Sequence, residues 1–513
     1  MKNLFTPSTP ITASSLDHAN CYRALCAKDS RFDGEFFVGV STTGIYCRPV
    51  CRVKTPRPSS CTFYQNASSA EAAGFRPCLR CRPELAPYAL QQNLAYAIWQ
   101  RISAGALNNR GDGGNMQELA QQVGLSARQL QRLMQNHFGV SPIELAQTAR
   151  LLFAKKLLQE TSLAMTELAY AAGFGSVRRF NALFLNRYGM APSAIRRSAT
   201  SKASTDHITL RLAYRAPFAW DTMLDYLAGR IISGVEAIEE DVGVNKQQRY
   251  YVRSVNFWHG KEQLQGWLKV SNLSKEQQLE VQLSSNFSPV LMPLLAKVRQ
   301  QFDLDANPTI VEAHLSSDPL LAAQIKRTPG LRVPGAFNRF ELAIRAVLGQ
   351  QISVAGATTL AARLIQQFGT PSTTPFSSIT HHFPEPAALA ALSQEQIAQL
   401  GMPKSRAATI LAVAQFAADG GLELPLGSSL DKAVAHLKTV RGIGEWTAQY
   451  IALRVLRYPD AFPAGDLGLQ KAAAVDTENS AGKISEAQLL NRAQSWTPWR
   501  GYAALLLWQS LSN

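Results

Sequence analysis

Two close cysteine pairs, Cys47 with Cys51 and Cys78 with Cys81, are separated by 26 residues. That spacing can present four thiolates tetrahedrally to a single Zn2+ ion, and by itself it fits a structural knuckle as well as a reactive centre. All seven cysteines lie within the first 81 residues, and the following 432 contain none. The count is odd, and the opening MKNLFTPSTP has no apolar signal core, which argues against a disulfide framework and for metal or thiolate chemistry. Cys21, Cys26 and Cys61 stand outside the pattern and are expected to be small buried residues.

Near the other end, Val440-Arg441-Gly442-Ile443-Gly444 runs into Glu445-Trp446-Thr447-Ala448-Gln449-Tyr450. The two glycines allow a turn between helices and a close approach to phosphate, the pattern of a helix-hairpin-helix. Between 116 and 197 an internal repeat has an offset of 49 or 50 residues. It pairs Glu118-Leu119-Ala120 with Glu167-Leu168-Ala169, Gly124 with Gly173, and Phe138-Gly139 and Pro142 with Tyr188-Gly189 and Pro192. Each copy predicts a helix, a glycine turn and a second helix opened by a serine cap, Ser126 with Gln129 and Ser176 with Arg179. Such a unit lays its second helix in the major groove of DNA. Arg128, Gln129 and Arg132, and in the second copy Ser176, Arg178 and Arg179, are therefore candidates for base or phosphate contact.

These elements need several cores, because 513 residues at 46% hydrophobic content exceed what one core can hold. Of the net charge of +15, +12 sits in residues 1–200, which hold 23 Lys/Arg against 11 Asp/Glu. A concentrated positive field favours a polyanionic partner through counterion release. RRSATSKASTDH (196–207) has linker composition, and NNRGDGGN (108–115) separates two helical patterns. Alternating stretches such as 207–212 and 249–255, with a helix at 220–229, make 207–320 α+β, and the 3.6-residue periodicity beyond it predicts helices alone. No stretch reaches the roughly 18 apolar residues of a membrane span, so a cytoplasmic, nucleoid-associated location without membrane contact is expected.

The surroundings of the cysteines, Asp33-Gly34-Glu35-Phe36-Phe37 through Thr42-Thr43-Gly44-Ile45-Tyr46-Cys47-Arg48-Pro49 and Ala73-Gly74-Phe75-Arg76-Pro77-Cys78, resemble the N-terminal domain of Ada-type DNA repair proteins. The resemblance implies that Cys47 is both zinc ligand and acceptor of a methyl group from a DNA phosphotriester. Methylation would take a four-thiolate zinc centre from a charge of −2 to −1, reducing repulsion from phosphate. Residues 116–197 resemble the AraC-type DNA-binding domain that follows this module in Ada proteins. Many Ada proteins also carry a domain that clears guanine O6 with a cysteine, and the lack of any cysteine after Cys81 excludes it here.

From 207 to about 510 the chain resembles AlkA-type 3-methyladenine glycosylases, through Leu331-Arg332-Val333-Pro334-Gly335, Ala346-Val347-Leu348-Gly349-Gln350-Gln351, Leu400-Gly401-Met402-Pro403 and Trp499-Arg500-Gly501-Tyr502-Ala503. That resemblance implies Asp466 as catalytic carboxylate, with Asp460 as competitor, and Trp446, Tyr450 and Trp508 as the lining of the base pocket. It implies base release without strand cleavage, since Trp446 stands where lyase relatives carry a Schiff-base lysine. Gln351 occupies the position of the apolar wedge that enters the duplex in the compared enzyme.

The expected organisation is multidomain, mainly α with α+β parts. It comprises a small α/β zinc and methyl-acceptor module (1–90, ligands Cys47, Cys51, Cys78 and Cys81), an AraC-type double helix-turn-helix (91–197), a linker (198–206), a β-rich α+β AlkA N-terminal domain (207–320) and an all-helical helix-hairpin-helix glycosylase domain (321–513). One Zn2+ is the expected cofactor. Double-stranded DNA, alkylated and promoter, is the expected partner, together with RNA polymerase. Two other readings stay open: a regulator whose glycosylase-like half only binds DNA, and a zinc site that is purely structural.

Overall fold

A computed structural model describes residues 17–86, 94–108, 116–197, 207–243, 246–474 and 483–511. The linker at 198–206 and most of the Gly/Asn run at 108–115 lie outside the described residues. The chain divides into two units, Met1–Gln159 with Leu168–Ala199, and Glu160–Glu167 with Thr200–Asn513. No helix among the described residues is long and apolar enough to cross a membrane.

In the first unit, four short strands lie in the order Cys61–Tyr64, Phe37–Val40, Ile45–Cys47, Arg76–Pro77. Gly44, at φ +63°, sits in the tight turn that joins the second and third of these. The last pair is parallel, with Tyr46 opposite Pro77, and the Cys78 N–H donates to the Tyr46 carbonyl at 3.0 Å. This register brings Cys47 and Cys78, distant in sequence, to neighbouring strand ends.

The repeat becomes two helix-turn-helix units, Met116–Gln122 with Ala127–Phe138 and Met165–Ala171 with Val177–Tyr188, linked by the 19-residue helix Pro142–Glu160. Ser126 and Gln129 form a reciprocal capping box, and Ser176 accepts from the Arg179 N–H at 3.4 Å. Gly139 and Gly189 end the second helices at φ +69° and +70°, the left-handed conformation that glycine adopts without strain. Phe180, Phe184 and Tyr188 form a buried aromatic row at one-turn spacing.

A buried polar network ties the metal module to this repeat. The Glu71 carboxylate accepts from Tyr46 Oη at 3.0 Å and Thr148 Oγ1 at 2.7 Å, and it pairs with Arg187 of the second repeat. Lys155, fully buried, pairs with Glu84 at 2.7 Å and donates to the Cys78 carbonyl at 3.1 Å. Burial pushes the Glu71 carboxyl up, against the opposing pull of Arg187 and its two hydroxyl donors.

The second unit opens on a five-stranded antiparallel sheet ordered His207–Ala213, Gln278–Ser284, Glu262–Leu273, Lys246–His259, Glu236–Gly243, with helix Trp220–Ala228 inserted after the first strand. Helices follow among the described residues, but the part expected to be all-helical also holds a two-residue strand pair, Thr370–Pro371 with His381–His382, closed by backbone pairing across the intervening loop. The buried ion pair of Arg253 with Glu341, 2.7 Å to each oxygen, fastens helix Arg339–Leu348 to the sheet. That helix carries Gly349, Gln350 and Gln351 at its end.

Candidate functional site

The four thiol sulfurs of Cys47, Cys51, Cys78 and Cys81 lie within 4.8 Å of one another. A tetrahedral zinc centre with Zn–S bonds of about 2.3 Å has its sulfurs about 3.8 Å apart, so this donor set fits the ion. Two backbone amides, those of Arg48 and Cys81, point at the sulfurs of Cys81 and Cys78 at 3.4 and 3.5 Å, which favours the thiolate form. The Arg48 side chain is held by buried Asp33, Nε to Oδ1 at 2.8 Å, and itself donates to the Cys81 carbonyl. Cys21 and Cys61 are buried as expected, but Cys26 is exposed, because it falls on the outer face of helix His18–Ala27.

In the second unit, helix Leu430–Leu437 and helix Glu445–Arg454 form the hairpin. Gly442 sits at φ +88°, and a Cβ there would collide with the Thr409 hydroxyl, so only glycine fits this turn. Gly444 has a different role: it is extended, caps helix Glu445–Arg454, and has nothing within 4 Å of where a side chain would begin. Its bareness leaves the helix start open. Gln350 pins the turn from outside, donating to the Gly442 carbonyl at 3.0 Å and to Thr447 Oγ1 at 2.9 Å.

Trp446 and Tyr450, one helical turn apart, stack with ring centroids 5.4 Å apart and planes 12° from parallel, and Trp508 meets Tyr450 edge-on at 6.2 Å. Asp466 caps helix Leu467–Ala472 by accepting from the Leu469 N–H. Its carboxylate also accepts the indole N–H of Trp446 at 2.9 Å and of Trp508 at 3.1 Å. Asp466, Trp446, Tyr450 and Trp508 line one open cavity of about 1320 Å3. Asp460 is already engaged: Arg500 grips both its oxygens at 2.9 and 2.7 Å. Its carboxylate serves a structural pair, and Asp466 is the one that faces space.

Gln351 lies on the rim of the same cavity, exposed, in the turn between Arg339–Leu348 and helix Val354–Phe368, with φ +55°. A left-handed non-glycine residue is strained locally, and it marks a turn built to project its side chain. In the first unit, Arg128, Gln129 and Arg132 are exposed on Ala127–Phe138, and Arg178 and Arg179 on Val177–Tyr188. Gln129 Oε1 and Ser176 Oγ are committed to their helix caps.

Sequence reasoning passed over the cavity's deep end. There Tyr226 and Arg230 from the sheet-bearing half meet Arg345, Tyr450 and Arg454 from the helical half. The available signal was spacing, since Tyr226/Arg230 and Tyr450/Arg454 are each four apart on or beside a helix and so stack on one face. Burial pushes the Tyr450 phenol up, but Arg454, Arg230, Arg345 and a bond from Tyr226 outweigh it and bring the pKa down to about 8.

Four family models cover the chain: the metal binding domain of Ada at 20–84, a helix-turn-helix domain at 119–198, the AlkA N-terminal domain at 209–338, and the HhH-GPD superfamily base excision DNA repair protein at 344–498. A probable bifunctional transcriptional activator/DNA repair enzyme AlkA of Mycobacterium tuberculosis is 35% identical over 97% of this chain and 97% of its own length. This chain belongs to the same family. DNA-3-methyladenine glycosylase 2 of Escherichia coli is 34% identical, over 58% of this chain and 95% of that protein. The bifunctional transcriptional activator/DNA repair enzyme Ada of the same organism is 39% identical over 25% of this chain and 35% of its own length. The family match makes the cysteine cluster a metal-binding module and both halves members of DNA-acting families.

Proposed function

We propose that this chain is a bifunctional DNA alkylation-damage protein, a base-excising glycosylase joined to a methyl-sensing transcription activator. The observation that carries the first half is Asp466, held at the cavity by two indole N–H groups while Asp460 is spent on Arg500. In this reading an alkylated purine, cationic and a good leaving group, is flipped from the duplex onto the Trp446, Tyr450 and Trp508 rings. The glycosidic bond breaks with its electron pair leaving on the base. The Asp466 carboxylate stabilises the positive charge left on the sugar and orients, then takes a proton from, the water that adds there. Gly442 and Gly444 hold the DNA backbone, and Gln351 fills the gap the flipped nucleotide leaves.

In the second half, Cys47 Sγ attacks the methyl carbon of a DNA methylphosphotriester. The S–C bond forms as the C–O bond breaks, and the phosphodiester departs as the anion. One Zn2+ held by Cys47, Cys51, Cys78 and Cys81 would keep the attacking sulfur deprotonated at neutral pH. With the centre less negative, the helix-turn-helix residues Arg128, Gln129, Arg132, Ser176, Arg178 and Arg179 bind promoter DNA more tightly. RNA polymerase is then the partner of activation, and the nucleoid the place of work.

Incubating the chain with methylated DNA tests both halves. The expected result is release of methylpurines, lost by about a hundredfold or more in Asp466→Asn, and a methyl group on the Cys47 peptide by mass spectrometry. Full base release by the Asp466 variant overturns the catalytic assignment. An unmodified Cys47 after exposure to phosphotriester DNA overturns the sensor.

A further inference from the structure

The deep end of the cavity is built largely from hydrogen-bond donors. Tyr450 Oη accepts from Arg454 at 2.6 Å, and the same guanidinium nitrogen reaches Tyr226 Oη at 3.1 Å. The Pro334 carbonyl fixes Arg454 from the other side. Arg230 lies 3.8 Å over the Tyr226 ring. Arg345, only 8% exposed, gives one nitrogen to Val354 and Thr358 and leaves its buried Nε without a partner. Glu236 stands in the same wall, occupied by the Tyr251 hydroxyl and the Ile232 N–H.

A phenol has one hydrogen to give and two lone pairs to receive with. The Tyr450 oxygen receives from Arg454 and shares a hydrogen bond with the Tyr226 hydroxyl, so the two phenols together keep one hydrogen for an outside acceptor. Arg345 Nε–H is also left over, and a buried donor left unmet carries a desolvation cost that an incoming acceptor would relieve. Three guanidiniums around this floor add a field that favours an electron-rich oxygen over an amino group. They also make the phenol more acidic and so a stronger donor.

Resting on the glycosylase reading, we infer that Tyr450 Oη and Arg345 Nε read a hydrogen-bond acceptor on the flipped base, so that the pocket favours a base with an oxo group at that edge over one with an amino group. Tyr450 is then a specificity-determining residue and Arg454 its positioning residue. The stacking face of Tyr450 is a separate contribution, which phenylalanine would retain.

DNA treated with a methylating agent holds both kinds of base, 7-methylguanine with a 6-oxo group and 3-methyladenine with a 6-amino group, so one digest of it by the full chain reads both rates. The expected result is that Tyr450→Phe lowers the ratio of 7-methylguanine to 3-methyladenine released by about tenfold. Arg454→Gln should move the ratio the same way by less, and Arg454→Lys should restore part of it. A ratio unchanged in Tyr450→Phe, whether both rates fall or neither does, overturns the inference. Failure of the unmodified chain to release either base would instead overturn the glycosylase reading beneath it.

Discussion

The cysteine cluster and the aromatic-lined cavity are assembled in opposite ways. The first draws its four sulfurs from two short loops at adjacent strand ends, within 35 residues of sequence from Cys47 to Cys81. The second gathers Tyr226, Arg345, Gln351, Trp446, Asp466 and Trp508 from both halves of a large unit. A metal ion is a single point that all four ligands must meet, so its geometry survives in local spacing. A pocket for a flipped base is a surface, and only packing brings its walls together. The first should fail as a module, the second residue by residue.

Removal of metal tests that difference most severely. A strong chelator should unfold the module at 20–84, since metal binding in such modules supplies on the order of 10 kcal/mol, while base release stays within error. Circular dichroism and the excision assay on the same sample would read both, and parallel loss of excision would break the distinction. Next in size is Arg187→Met, which leaves Glu71 buried without its cation and should cost about 3–5 kcal/mol in the unfolding of the first unit, measured by denaturant titration. A loss under about 1 kcal/mol would mean the network is not holding module and repeat together.

On the cavity side, Trp446→Phe keeps the ring stack and removes one indole donor from Asp466. Single-turnover excision should fall about tenfold or somewhat more, as expected for a hydrogen bond to a charged group. If the rate holds, the indole serves only for stacking. The smallest effect is expected at Ser126→Ala, which breaks the capping box for about 1 kcal/mol of repeat stability and leaves excision untouched.

Much of the framework was legible because it is written in local rules. The serine caps at Ser126 and Ser176 and the helix at Trp220–Ala228 appear where spacing and turn chemistry place them. Cys26 was misplaced because helical phase, which residue type does not report, turns it outward while Cys21 turns in. The two hairpin glycines looked equivalent, yet Gly442 is required by a positive φ and a crowding threonine, whereas Gly444 is extended with open space around it and nothing within the chain demands a glycine there.

The amino-acid sequence alone determined the paired cysteines, the doubled helix-turn-helix and the hairpin, because each depends on intervals of a few residues. Only the tertiary structure distinguished the surroundings of the two aspartates, Asp460 gripped by Arg500 and Asp466 met by two converging indoles. It also decided the donor-rich part of the cavity at Tyr450, where Tyr226 and Arg454, 228 positions apart in sequence, meet in one hydrogen-bonded group.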